Sequence, residues 1–316
     1  MNPEKYEILY DLKAGEYNQT QVGGIRTKVI RAGDTIEIEA FPIVRLNEAA
    51  ERERQRRKSS PAQDRLNQEN ARKKFRRLAE ANFTRDDWRL DLTLGEDVRD
   101  FGMLNKREEA ARAAAITDED VRRMWRNYLE KLRRRVKGIG GDPGEIKYQY
   151  VIEGGGDRRD TDPEPLPGRM HMHVMLHAPG LSRDTIEQLW EHGYSSCQHL
   201  DTSRNGLKDL AAYLTKSRRW GRRWGRSKNL VEPDVRVSDR AISRRRAALA
   251  ARDVEQFGRE ITEGIYKGYR CEEVTVRYSD FVAGAYIFVR MRRRTEQAGS
   301  SLRARVDNVI KGARRE

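Results

Sequence analysis

The run Arg169-Met-His-Met-His-Val-Met-Leu-His177 constrains this chain more than any other segment. Side chains alternate with a period of two along a β-strand, so His171 and His173 share one face while Met172, Val174 and Leu176 share the other. One side of this strand must therefore bury against a core, and the other must present two neighbouring imidazoles. All five histidines of the 316-residue chain fall between His171 and His199, a clustering that points to one chemical site. Two imidazoles on a rigid, well-packed strand can hold a divalent metal. The same pattern also arises where two histidines sit on a solvated sheet face, so the pair alone leaves both readings open.

The surrounding sequence predicts an α+β fold, an antiparallel sheet with helices packed on one face. Thr27–Arg31 and Thr35–Phe41 alternate about an Ala-Gly-Asp turn and predict a hairpin. Residues 46–80 are charged and helical, and Trp88–Leu94 predicts a strand. From Thr117 to Val136 apolar residues recur at helical spacing, opened by a capping box of Thr117 with Asp120 and closed by Gly138 and Gly140. The strand Lys147–Glu153 leads through a Gly/Asp/Pro-rich turn, 154–168, into the histidine strand. Glu153 and His171 are therefore expected to face each other across an antiparallel pair. A helix at 182–190, a strand at 194–200 and a helix with the Leu207, Leu210, Ala211, Leu214 stripe follow. Residues 217–260 read as basic and mostly helical or irregular, and 271–293 as a final strand pair. This divides the chain into an N-terminal hairpin-and-helix extension (1–84), a core (85–220) and a basic C-terminal region (221–316).

Charge narrows the partner. The formal net charge is +14, and between Lys216 and Arg246 there are twelve Lys or Arg against the three acids Glu232, Asp234 and Asp239. Concentrated cations bind polyanions by neutralising phosphates and releasing counterions. Arginines interleaved with Trp220 and Trp224 suit phosphates and unstacked bases, although either tryptophan could equally be core. Nucleic acid is the expected partner, and no membrane is. Cys197 and Cys271 are too few for a disulfide framework or a four-cysteine zinc site, and no signal peptide is evident, so a cytoplasmic location is expected.

Three pieces carry the chemistry. A divalent ion over His171 and His173 needs a further ligand, for which Glu153 is best placed; such a mixed set suits Mn²⁺ or Mg²⁺, with zinc less favoured. His177 lies about 13 Å along the strand from His173 and reads as an edge or surface histidine, and Cys197-x-His199 as ordinary strand residues. In Tyr213-Leu-Thr-Lys216, positions i and i+3 of a helix are neighbours, which sets a phenol beside a cation. The strand Leu90-Asp-Leu-Thr-Leu94 would place Thr93 near its exposed end and carries no chemistry by itself.

Taken in order, Leu92-Thr-Leu94, His171-Met-His173 and Tyr213-Leu-Thr-Lys216 resemble the three motifs of the HUH endonucleases, specifically the rolling-circle replication initiators of bacterial phages and plasmids. The likeness extends to Val151-Ile-Glu153, Leu66–Arg72, Ala81–Thr84 and Arg218–Leu230, and so covers residues 25–293. It implies an RNA-recognition-motif-like sheet within 85–220 and metal-dependent transesterification on single-stranded DNA. Tyr213 would be the nucleophile, Lys216 would orient the phosphate, and Glu153, His171 and His173 would hold the metal. The strand would be gripped by Thr93, Arg218, Arg219, Trp220, Arg222, Arg223, Trp224, Arg226 and Lys228. Implied partners are a single-stranded origin, as a hairpin, a host helicase and polymerase, and a second protomer for strand closure in a bacterial cytoplasm. The turn 154–168 is longer than in compact relatives. Asp209 and Ser217 stand where two-tyrosine initiators carry a second tyrosine, and no phosphate-binding loop of a helicase motor is present. A relaxase or single-tyrosine transposase would use the same chemistry, whereas a non-catalytic nucleic-acid-binding protein would leave Tyr213 and the histidines without a joint purpose.

Overall fold

The computed structural model describes residues 21–45, 61–94, 117–155, 168–202, 205–215, 224–243, 252–278 and 285–294, with isolated positions between 244 and 251. Among the described residues the fold is α+β, with ten strands in two antiparallel five-stranded sheets. Two compact units divide the chain: residues 1–57 with 235–316, and residues 58–234. Among the described residues no helix is long and apolar enough to cross a membrane.

The first unit is built on β1 (Gln21–Ala32) and β2 (Thr35–Arg45), joined by the two-residue turn Gly33-Asp34. Gly33 has φ +55, the positive value that the first position of a primed hairpin turn needs and that glycine adopts without steric cost. The strand order is β8-β1-β2-β10-β9, with β8 at Asp234–Ser238, β9 at Tyr269–Tyr278 and β10 at Ala285–Arg293. Alternation sends Ile36, Ile38, Ala40, Ile287, Val289 and Met291 to one face. There they pack with Ala247, Ala250 and Phe257, the last on the short helix α5 (Val254–Glu260). The opposite face buries charge. Arg290 is 0% exposed, donating to Glu37 at 2.9 Å and to Glu272 at 3.0 Å, while Arg292 donates to Glu272 at 2.6 Å. Burial pushes the Glu272 carboxyl up, but the two guanidinium groups outweigh it and hold it below the ordinary glutamate value.

The second unit carries the histidine strand. Its sheet order is β6-β3-β5-β4-β7, with β3 at Trp88–Thr93, β4 at Lys147–Gly155, β5 at Gly168–His177, β6 at Ser195–His199 and β7 at Trp224–Arg226. The even positions of β5 (Met170, Met172, Val174 and Leu176) join Leu90, Leu92 and Ile152 in one core. Helix α2 (Asp118–Gly138) covers it with Val121, Trp125, Tyr128, Leu129, Leu132 and Val136, and α3 (Arg183–Gln188) adds Ile186. Helix α2 starts as its sequence dictates. The Thr117 side chain accepts from the Asp120 N–H and the Asp120 carboxylate accepts from the Thr117 N–H, satisfying two donors that helix geometry leaves open.

The other face of this sheet is not bare. Val151 and Met175 pack there with Phe75 and Ala79 of α1 (Pro61–Asn82) and with Leu207, Ala211 and Leu214 at α4 (Lys208–Leu214). Helices thus lie on both faces of the sheet rather than on one. The reason is that the histidine face carries apolar residues, Val151, Met175 and Trp224, which need cover of their own. Helix α1 belongs to this unit, and the Gln149 amide, wholly buried, donates to the Phe75 carbonyl at 3.0 Å. Within the stretch read as helical or irregular, β7 and β8 are short edge strands. Every residue of β8 is exposed, so no burial pattern marks it in the sequence. At β7 the strand passes so close to Tyr150 that a Cβ on Gly225 would lie 2.4 Å from the ring, which explains the glycine.

Removing one partner of the buried ion group leaves an uncompensated charge, so Arg290→Met is expected to destabilise the first unit by about 3–5 kcal/mol, measured by denaturant unfolding at neutral pH. Because the folded Glu272 value lies below the unfolded one, its contribution is complete above the ordinary glutamate range. It is lost as pH falls through the depressed value. The wild type should therefore lose stability on acidification more steeply than Glu272→Gln, and parallel pH profiles would contradict this.

Candidate metal and nucleophile site

Antiparallel register brings the site together. In β4–β5 pairing Glu153 lies opposite His171 and Val151 opposite His173; in β3–β5 pairing Asp91 lies opposite His173 and Thr93 opposite His171. Directly paired residues share a face, so Glu153, His171, His173 and Asp91 converge on one patch. The Glu153 Oε2 atom is 3.3 Å from His171 Nε2 and 3.6 Å from His173 Nε2. One ligand atom from each of Glu153, His171 and His173 can be chosen within 4.8 Å of the others, the arrangement needed to hold a metal ion. Glu153 and His173 are buried, at 7% and 5% exposure, while His171 is half-buried.

Asp91 completes this group. Its Oδ1 is hydrogen-bonded to His173 Nδ1, and its other oxygen pairs with Arg89 at 3.0 Å. Burial raises the Asp91 carboxyl, but the bonds to His173 and Arg89 outweigh it and hold it below the ordinary value. An ionised carboxylate only accepts, so Nδ1 carries the proton and Nε2 is turned toward Glu153. His173 Nε2 is buried with no hydrogen-bond partner among the described residues. Burial disfavours charge on this ring, yet Asp91 and Glu153 outweigh that and favour the imidazolium. A cation bound at Nε2 takes the place of that proton. A ligand histidine whose second nitrogen donates to a carboxylate is the usual outer-shell arrangement of metal sites, so the residues present fit a metal.

Tyr213 lies on α4, whose buried Leu207, Ala211 and Leu214 dock the helix on the histidine face. Its ring centroid is 5.7 Å from that of His173, roughly perpendicular, and the Arg89 guanidinium lies 5.8 Å from the Tyr213 ring centroid. The side chain is 45% exposed, so the phenol is open to a ligand while its helix is anchored.

Other predicted residues are placed differently. The Thr93 hydroxyl donates to the Tyr194 carbonyl at 3.0 Å and accepts from the Tyr194 N–H at 2.9 Å, tying the end of β3 to the chain entering β6. Trp224 packs edge-on against Phe75, centroids 5.7 Å apart, and Arg226 pairs with Glu232 at 2.7 Å. Lys228 is exposed. His177 Nδ1 lies 2.6 Å from the buried Asp87, and His199 stacks on Trp88 with centroids 4.0 Å apart. Lys216, Arg218, Arg219, Trp220, Arg222 and Arg223 lie outside the described residues.

Asp91 and Arg89 are the residues that sequence reading missed. An acid between two core leucines, Leu90 and Leu92, reads as an ordinary solvent-facing strand position, so its role emerges only from the register with β5. Comparison with protein-family models, with curated proteins and with solved structures found no match to this chain.

Titration with Mn²⁺ by calorimetry should show binding that His173→Ala abolishes and EDTA reverses. Asp91→Asn should retain the site but weaken binding by roughly 10–100-fold. Equal affinity for wild type and Asp91→Asn would show that the Asp91–His173 bond does not support the ligand.

Proposed function

We propose that this protein nicks single-stranded DNA by metal-dependent transesterification, as a rolling-circle replication initiator with one tyrosine nucleophile. The observation that carries this reading is the half-exposed phenol of Tyr213 beside a buried His₂Glu cluster, its ring 5.7 Å from that of His173. A structural metal site has no use for an accessible nucleophile at its rim. A purely DNA-binding surface has no use for a buried carboxylate and two histidines converging on one point.

Glu153, His171 and His173 would hold Mn²⁺ or Mg²⁺, which supplies Lewis-acid polarisation of a phosphoryl oxygen. The protein's own groups do the rest. The Tyr213 oxygen attacks phosphorus, a new P–O bond to tyrosine forms and the bond from phosphorus to the 3′ oxygen breaks. The products are a 5′-phosphotyrosine and a free 3′-hydroxyl; the phenolic proton leaves and the departing 3′ oxygen gains one. Arg89, fixed by Asp91 and set by the Tyr213 ring, places positive charge where the phosphate must approach. Lys216 would add a second cation, and the Arg-rich run from Arg218 to Lys228 would hold the strand with Trp220 or Trp224 against a base. The single tyrosine calls for a second protomer, or another nucleophile, to close the circle. Unwinding and extension fall to a host helicase and polymerase.

Single-stranded oligonucleotides tiled across the encoding element, incubated with Mn²⁺ or with EDTA, test this directly. Wild type plus Mn²⁺ should give a covalent protein–DNA species that resists denaturing electrophoresis, absent in EDTA and absent for Tyr213→Phe. Tight binding with no covalent species from any strand would instead support a non-catalytic nucleic-acid-binding protein.

A further inference from the structure

Beside the nucleophile, on the side away from Glu153, the same sheet face opens into a groove of ≈ 440 Å³ lined by Arg89, Gln198, Asp201, Asn205, Asp209 and Tyr213. Register explains its position. Gln198 of β6 pairs directly with Arg89 of β3, so its amide shares the face that carries Asp91 and His173, while α4 supplies Asp209 and Tyr213 as the opposite wall. We propose that this groove seats the nucleobase next to the phosphate attacked by Tyr213, and that it selects a base rich in N–H donors, guanine first. This inference rests on the DNA-nicking reading above and adds to it the base that the site would read.

The chemistry of the walls argues for a base and against a phosphate. Arg89 is committed to the phosphate under attack, and Asp201 and Asp209 line the groove with two carboxylates, which repel a second phosphate. Carboxylates only accept hydrogen bonds. Asn205 donates its amide to Asp209 Oδ2 at 2.8 Å, which fixes that carboxylate at the groove wall. Gln198, exposed at the edge strand, offers both a donor and an acceptor. The two carboxylates, Asp201 and Asp209, match an edge that presents neighbouring donors. Guanine offers N1–H and its 2-amino group side by side, cytosine and adenine one amino group each, and thymine only a single N–H between two carbonyls. The Tyr213 ring at the mouth gives the base a flat surface on the way to the phosphate.

The test uses a single-stranded oligonucleotide pool, randomised across its centre, incubated with Mn²⁺ and the full-length protein. The covalent adducts are isolated under denaturing conditions and sequenced around the junction. Wild type should show guanine enriched at one position immediately beside the junction. In Asp209→Asn, which turns an acceptor into a donor, and in Gln198→Ala, the guanine-to-thymine ratio at that position should fall by roughly tenfold, the scale of one lost base-reading contact. The ratio is taken within each variant's own adducts, so differences in total yield cancel. Both positions are exposed, and matching thermal unfolding curves establish that the variants fold. Adducts without a base preference beside the junction, or a preference unchanged in both variants, overturn the groove assignment while the nicking reading stands. If wild type forms no adduct from the pool, the nicking reading and this inference fail together.

Discussion

The hydrogen bond between Asp91 and His173 is the interaction on which the candidate site depends. It joins β3 to β5 through side chains at the point where the backbone ladder already pairs them, so strand register and imidazole orientation are set together. A slip of one residue in that pairing would turn Asp91 to the core, burying a carboxylate beside Met172 and Val174, and would turn Leu90 and Leu92 out to the histidine face. The cost of that misplacement protects the register. Arg89 then extends the same network to the Tyr213 ring, so ligand, positioning carboxylate, cation and phenol follow from a single alignment of two strands.

Much of this was legible in the sequence, and the reasons are particular. The period-two pattern at Arg169–His177 marked a strand with a wet face and a dry face. The Thr117 capping box and the stripe from Val121 to Val136 marked the long helix, because both signals are local and strong. Glu153 opposite His171 followed from strand order alone. What stayed hidden depends on contacts between distant segments. Nothing in Leu90-Asp-Leu92 says which strand will lie beside it, so the partner of Asp91 was not readable. The short strands β7 and β8 lack a burial pattern, and the cover of the histidine face by α1 and α4 depends on a few apolar positions there, Val151, Met175 and Trp224. Lys216 and the arginines from Arg218 to Arg223 fall outside the described residues, and their part in the reading comes from charge and motif.

Burial divides the labour within each sheet. In the second unit the α2 face is largely apolar and provides cohesion, whereas the histidine face mixes Val151 and Met175 with titratable groups. In the first unit the division is similar in form but different in content: one face is aliphatic, and the other encloses Arg290 with Glu37 and Glu272. A buried ion group of that kind adds little net stability compared with apolar packing, but it penalises any strand order that separates its members.

The pairing of Ala40 with Ile287 and the bond from Arg290 to Glu37, 253 residues apart in sequence, have a consequence for how the chain is made. The first unit is assembled from both ends of the described chain, with the whole second unit inserted between β2 and β8. On a ribosome the β1–β2 hairpin emerges early with its neighbouring strand still unsynthesised. The second unit, continuous in sequence, can complete its sheet well before then. The hairpin therefore gains its β10 neighbour only after the second unit has been synthesised, so the second unit can build its sheet from contiguous chain while the first cannot.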